Sequence, residues 1–356
     1  MQKHFSVRRA KIWTAVLAVV FLFCLIIVLV IRGGAFSKTY TATGYVMGSY
    51  MQQTIYSRDG EAAAADALTR AAETEALISW RVEDSDIQKL NAAAGISAVP
   101  IHDRTRSILA AALDVAEQSG GAFDPTILPV SSLWNFDGEV HAVPSADQIS
   151  KFLPCVSYQN LTLSSDQAFL QINGSAVDLG AAGKGAACDD AIAAYREQNA
   201  AGAVVSVGGS IGLYGQKPDH TVWTIAVRDP RGEDLSAQLG TLDLPLGKTE
   251  SLCISTSGSY EKAFTQNGVT YHHLLDPKTG YPAKSGLVSV TVLHESGLYS
   301  DLLATACFIL GVDAGCDLLE TYGASGIFVT ESGDVRLFGE LAFTLTAEGY
   351  HLIGER

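Results

Sequence analysis

The sequence predicts an α+β fold behind an N-terminal membrane span, and two observations carry that reading. Alanine-rich helical stretches and glycine-punctuated strands are mixed without a regular βαβ rhythm. Residues Ile12 to Ile31 then form an uninterrupted, predominantly apolar run of 20 positions without a charge. At about 1.5 Å per residue, a helix of that length crosses a hydrocarbon core of roughly 30 Å.

Lys3, Arg8, Arg9 and Lys11 precede the run, and only Arg32 and Lys38 follow closely. This bias predicts a cytoplasmic N-terminus and a single-pass cell-membrane protein whose main domain lies outside the cytoplasm. A cleaved signal peptide is the competing reading. Its apolar core usually spans about 7–15 residues and ends at a small-residue site, whereas here Gly33-Gly34-Ala35 follows an arginine directly. Cys24 sits inside the run between Phe23 and Leu25, a poor context for lipid attachment. The expected organisation is a basic N-terminus (1–11), an anchor (12–31), a linker (32–43) and one large domain (44–350).

Within the domain, Tyr45 to Tyr56 alternates as a strand, and Gly60 to about Trp80 reads as a long alanine-rich helix. Thr105 to Ser119 is a second helix, ended by Gly120-Gly121. A polar region with Pro129, Pro144 and Pro154 follows. A third helix is expected from Lys184 to Gln198, then a glycine-punctuated strand segment from Ala203 to Tyr214. Trp223–Val227 and Leu287–Leu293 read as strands, a helix begins near Ser300, and strands at Gly326–Thr330 and Leu341–Thr346 close the chain. Internal repeats and low-complexity segments are absent from the sequence.

The formal net charge is −14, from 38 acidic and 24 basic residues. No basic cluster lies beyond the anchor flank, which leaves nucleic acid without an electrostatic footprint. An acidic protein handling a polyphosphate needs local positive charge or a metal. Cys155, Cys188, Cys253, Cys307 and Cys316 show no CxxC spacing and mostly apolar neighbours, so they read as small core residues.

Three segments stand out chemically. Gly120-Gly121-Ala122-Phe123-Asp124-Pro125-Thr126 lets backbone approach a ligand, or simply caps a helix and turns. Asp178-Leu179-Gly180-Ala181-Ala182-Gly183-Lys184-Gly185 runs from a strand into a helix start, where N–H groups and Lys184 favour an anion. It is not a Walker A loop, because Gly185 follows the lysine; close strand–helix packing is the plain alternative. His272-His273-Leu274-Leu275-Asp276-Pro277 offers acid–base or metal-binding groups in a defined turn, or structural histidines. Downstream, Asp301 and Thr305 share one helical face, one turn apart. A carboxylate and hydroxyl so placed suit Mg²⁺, which takes few protein ligands; on spacing alone, a helix cap from Ser300 or Asp301 with Thr305 in the core is the preferred reading.

Taken together and in order, these segments resemble the ApbE family of FAD:protein FMN transferases. The resemblance also draws on Met47-Gly48-Ser49-Tyr50, Asp84-Ser85-Asp86-Ile87, Val207-Gly208-Gly209, Thr256-Ser257-Gly258-Ser259-Tyr260 and Leu287 to Val292. It implies a two-lobed domain that takes FAD as substrate with Mg²⁺ and modifies an extracytoplasmic acceptor flavoprotein subunit of an electron-transfer complex. By motif it implies Mg²⁺ ligands at Asp301, Thr305 and the Ala181 carbonyl. The implied FAD contacts are Met47, Trp80, Ala122, Phe123, Asp124, Asp178, Lys184, Leu275 and Ala304. His273 matches the histidine implicated in transfer, with Asp276 beside it as a second catalytic group or a turn holder. The sequence departs from the family at Ser210, where Asp or Asn often follows the paired glycines.

Overall fold

The structure, a computed structural model, describes residues 38–354 other than 139, 233 and 235. The expected span at Ile12 to Ile31 lies outside the described residues. Among the described residues, no helix is long and apolar enough to cross a membrane.

A nine-stranded sheet organises the domain, and its spatial order follows the chain. The strands are β1 (Lys38–Val46), β2 (Ser49–Ser57), β3 (Gly202–Val207), β4 (Ser210–Gly215) and β5 (Ser251–Gly258). They continue as β6 (Leu287–His294), β7 (Ser325–Thr330), β8 (Asp334–Phe338) and β9 (His351–Leu352). Every neighbouring pair is antiparallel except the last, where β9 runs parallel to β8. Helices and three smaller sheets fill the insertions of this meander, as the α+β reading requires.

The helices are α1 (Gly60–Ile78), α2 (Asp86–Ala92), α3 (Asp103–Gln118), α4 (Leu128–Trp134), α5 (Ala146–Phe152), α6 (Gly180–Glu197), α7 (Gly297–Leu310) and α8 (Val312–Tyr322). Strand alternation divides β5 between two cores. Ser255 and Ser257 bond Ser300 and Thr305 of α7, so this face looks toward the helices. Ile254 instead joins Leu213, Trp223 and Leu242 in the apolar cluster on the other face. That face is covered by a three-stranded antiparallel sheet of Phe343–Leu345, Gln238–Leu244 and Trp223–Arg228, in that spatial order.

Several expected elements have different bounds. The single strand expected over Tyr45 to Tyr56 is a hairpin, β1–β2, turning at Met47 (φ 55°) and Gly48 (φ 66°). A two-residue turn with both φ positive matches strand twist, but Met in place of Asn or Asp hid it. The segment Ala203 to Tyr214 is likewise a hairpin, with its tip at Gly208-Gly209. Helix α6 starts at Gly180 rather than Lys184, and α7 at Gly297 rather than near Ser300. The strand expected over Leu341–Thr346 shortens to Phe343–Leu345, and β9 closes the chain instead. The proline-rich region holds α4, with Pro129 in its first turn, where a missing N–H costs nothing. Among the cysteines, Cys188, Cys253, Cys307 and Cys316 are buried, as read from sequence; Cys155 is half-buried, outside the core.

Candidate active site

The tips of the β1–β2 and β3–β4 hairpins and the end of β5 lie at one end of the sheet, because β2 pairs with β3 through Met51↔Val207 and β4 with β5 through Ser210↔Ser255. The N-terminus of α6 meets them there. A cavity of about 970 Å³ opens at this point. Met47, Trp80, Ala122, Phe123, Asp124, Asp178, Ala181, Lys184, His273, Leu275, Asp301 and Thr305 all line it. The structure thus gathers residues spread over more than 250 positions of sequence into one site. Asp276 and Ala304 are not on its wall.

The glycines of α6 make the site possible. A Cβ on Gly185 would lie 2.0 Å from the carbonyl oxygen of Gly297, and one on Gly297 would lie 2.3 Å from that of Gly185. Backbone therefore touches backbone where α6 meets the start of α7. The close approach lets the Gly185 N–H donate to Asp301 Oδ2 at 3.0 Å. In a regular helix that N–H is the partner of the carbonyl four residues earlier, here Ala181. Asp189, also on α6, accepts from the N–H groups of Gly297 (2.6 Å) and Leu298 (3.0 Å), fixing the first turn of α7. Its carboxylate supplies the negative charge a helix N-terminus favours. Ser296 contributes a second cap through Tyr299 N–H.

Asp301 is buried on α7, and its Oδ1 stands 3.6 Å from Lys184 Nζ. The carboxylate holds the Lys184 ammonium above its ordinary pKa, keeping it charged. Burial acts on Asp301 in the opposite sense, favouring its neutral form, against Lys184, the Gly185 N–H and Ser210. Ser210, the position that departs from the family pattern, therefore still supplies a hydroxyl to Asp301. It also accepts from Ser255 at 2.9 Å. One turn on, Thr305 Oγ1 lies 3.2 Å from Ser257 Oγ.

This donor set fits a hard cation. A buried carboxylate, a hydroxyl one turn away and the Ala181 carbonyl share the wall with Lys184, and Mg²⁺ commonly leaves its remaining positions to substrate phosphates and water. Among the described residues there is no cluster of three or more His, Cys, Asp or Glu able to enclose a metal alone.

His273 faces the same cavity from another segment. Its N–H donates to the Lys262 carbonyl at 3.0 Å, its ring lies edge-on to Phe136 at 6.5 Å, and its buried Nδ1 has no partner. Burial pushes its pKa down to about 3, helped by the nearby charges of Lys262 and Lys184, so the imidazole is neutral at pH 7. The turn that presents it rests on an aromatic cluster around Trp134, whose Nε1 donates to the Gly280 carbonyl at 3.0 Å. Asp276 accepts from Lys278 N–H at 2.9 Å and pairs backbone with Tyr281; it holds the turn.

The other acidic residues on the wall have local partners. Asp124 accepts from Thr126 N–H and Oγ1 through Oδ1, and from Tyr158 N–H through Oδ2. Burial raises its pKa against these bonds. Asp178 accepts from Gly180 N–H at 2.8 Å, ordering the entry to α6. Trp80 lies just past α1, with its buried Nε1 unpartnered and the Arg81 guanidinium 4.1 Å above its ring. Ala304 is fully buried behind the wall.

Glu261, Asp137 and Lys262 also line the cavity and were not singled out in the sequence. Lys262 reaches Asp137 at 2.6 Å. Their sequence neighbourhoods are ordinary; only the fold places them here.

Comparison with known proteins agrees with this architecture. A family model described as the ApbE family matches residues 47–328. The chain is 31% identical over 322 residues to an FAD:protein FMN transferase of Klebsiella pneumoniae, covering 89% of this chain and 98% of that one. It is 30% identical over 324 residues to an FAD:protein FMN transferase of Treponema pallidum, covering 85% and 88%. Among solved structures, the ApbE protein of Thermotoga maritima superposes with a TM-score of 0.75 at 31% identity, over 84% of this chain and 96% of that one. The apo form of the Pseudomonas stutzeri flavinyl transferase ApbE gives 0.73 at 30% identity, over 88% and 96%. The chain belongs to the ApbE family.

Proposed function

We propose that this protein transfers FMN from FAD to a threonine or serine hydroxyl of a partner flavoprotein, releasing AMP, in a Mg²⁺-dependent reaction. The observation that carries the reading is the single cavity wall shared by Lys184, Asp301 and Thr305, faced by a neutral His273 whose buried Nδ1 has no partner. Relatives of similar length bear the name FAD:protein FMN transferase, which supports the same reaction here.

In this reading the acceptor hydroxyl attacks the FMN-side phosphorus of FAD. A new O–P bond forms, the bridging P–O bond breaks, and its electron pair leaves with AMP. His273, whose neutral form is fully populated at pH 7, takes the hydroxyl proton or holds that hydroxyl in line. Lys184 presents positive charge to the pyrophosphate, and Met47, Trp80, Phe123 and Leu275 offer apolar surface to the flavin. Ala122, Asp124 and Asp178 shape the loops that approach it. Asp301, Thr305 and the Ala181 carbonyl would hold Mg²⁺, which when bound supplies charge neutralisation at the phosphate oxygens. Asp276 and the buried Ala304 support the wall from behind.

The anchor expected at Ile12 to Ile31 would hold the 44–350 domain on the extracytoplasmic face, where an acceptor subunit of an electron-transfer complex is within reach. The charge bias around that run supports the orientation. Incubating the full-length chain with FAD, Mg²⁺ and a threonine-bearing acceptor subunit should leave flavin fluorescence on the acceptor after denaturing electrophoresis. Fluorescence that migrates only with free flavin sinks the transferase reading.

A further inference from the structure

The cavity lies on both faces of the sheet, and the two faces differ. Lys184, Asp301 and Thr305 belong to the helix side. Ile211, Ile254 and Thr256 belong to the opposite side, because the intervening Ser210, Ser255 and Ser257 point to the helices. The two arms meet around the Gly208-Gly209 tip, which also lines the cavity.

The outer arm is bounded by Trp223–Arg228, the end strand of the three-stranded sheet. Ile225, Ala226, Val227 and Arg228, four consecutive residues, all line the cavity. Successive side chains of a strand point to opposite faces, so a cavity touched by all four runs along the strand's unpaired edge. Such an edge presents backbone N–H and C=O groups ready to pair with another chain. Beside the turn of the β1–β2 hairpin stand Tyr45 and Tyr50, 66% and 67% exposed and packed edge-on with ring centroids 5.6 Å apart. Tyr50 lies beside Gly208, whose N–H approaches its carbonyl oxygen at 3.4 Å. Its neighbour Met51 is buried in the helix-side core, so the Tyr50 ring faces the outer side.

We infer that this outer arm is the acceptor site. It takes an extended segment of the acceptor protein around the modified threonine or serine, paired by backbone to the edge of Trp223–Arg228. The inference rests on the transferase reading, which requires a polypeptide substrate to reach the same cavity as FAD. An extended peptide gains main-chain hydrogen bonds by adding to an exposed strand, and pockets beside the strand select its side chains. Here the pockets are apolar, from Ile211, Ile225, Val227 and Ile254, and select apolar neighbours of the hydroxyl. The Tyr45–Tyr50 pair receives the segment where it leaves the cavity. The path round Gly208-Gly209 is open because neither residue carries a side chain, and a Cβ on Gly208 would lie 3.1 Å from Lys184 Cδ.

Two variants of the full-length chain test this, with a threonine-bearing acceptor subunit as probe and FAD affinity measured separately by flavin fluorescence. Ile225→Glu puts a charge in the apolar arm and should raise the acceptor KM about tenfold or more, with FAD affinity unchanged. Ala226 is exposed on the edge strand, so Ala226→p-benzoylphenylalanine leaves the core intact and should photo-crosslink the acceptor. That crosslink decides the matter if Ile225→Glu fails to fold. Wild-type transfer combined with an unchanged acceptor KM and no crosslink overturns the outer arm while leaving the transferase reading standing. Weakened FAD binding with normal acceptor KM assigns the arm to FAD and also overturns it. No transfer by the wild type overturns both.

Discussion

The backbone N–H of Gly185 donates to Oδ2 of Asp301 at 3.0 Å, across a junction where the backbones of α6 and α7 touch. One glycine contact thereby fixes the position of the buried carboxylate relative to Lys184, which sits one residue before Gly185. Replacing Gly185 by alanine forces a methyl against the immovable Gly297 carbonyl. Overpacking of this kind costs on the order of 3 kcal/mol. Thermal denaturation of Gly185→Ala should show that loss, and any folded fraction should transfer FMN more slowly because Asp301 is displaced.

Asp301 itself should be separable from the fold. Asp301→Asn keeps the shape and the bond from Gly185 while removing the charge opposite Lys184. The expected outcome is a folded protein that still binds FAD, with transfer reduced by at least about a hundredfold, as for loss of one electrostatic group in an active site. Thr305→Ala should act in the same direction with a smaller effect. A chelator should reproduce the Asp301→Asn phenotype in the wild type and change little further in the variant, as measured by the rate of AMP release.

Asp189 carries no catalytic role in this account, yet it caps α7 from another helix. Asp189→Ala removes acceptors for two N–H groups and a stabilising negative charge. The expected cost is about 1–2 kcal/mol, read as a lowered melting temperature, with FAD affinity retained in the folded protein.

His273 makes a pH prediction. Its folded-state pKa lies near 3, below the unfolded value near 6.5. Between those limits the unfolded chain binds the proton and the folded chain does not, so stability falls as pH drops below about 6.5 and levels off near 3. The slope should approach about 1.4 kcal/mol per pH unit for this one group. Comparing the melting of wild type and His273→Asn from about pH 7 to pH 4 isolates it, since the variant lacks the contribution. The kcat/KM profile of the wild type, which reports free-enzyme groups, should show no acid limb near 6.5 from this histidine.

The sequence revealed the site's components more readily than their arrangement. Helical spacing puts Asp301 and Thr305 on one face but favoured a helix cap, and it was the family motif that made them legible as a metal pair; the glycine-rich run before Lys184 marked a helix start. Met47 entered through the family motif, whereas its turn escaped notice because a methionine with positive φ carries no turn signal. His273 was legible through the family motif, while Asp276 stood open between a second catalytic group and a turn holder; the fold puts Asp276 in the turn and off the cavity wall. Ala304 shares the helix of Asp301 and Thr305 but lies behind the wall. Asp189, Glu261 and the edge of Trp223–Arg228 depend on helix crossing and sheet packing between distant segments, which no local pattern encodes.

The most direct measurement is the mass of the acceptor after incubation of the full-length chain with FAD and Mg²⁺. The expected result is a gain of one FMN on a threonine or serine, matched by one AMP released, and absent after chelation or in Asp301→Asn. FMN and AMP both appearing free in solution with the acceptor mass unchanged would contradict it, making the protein a pyrophosphatase; intact FAD would leave it a flavin-binding protein.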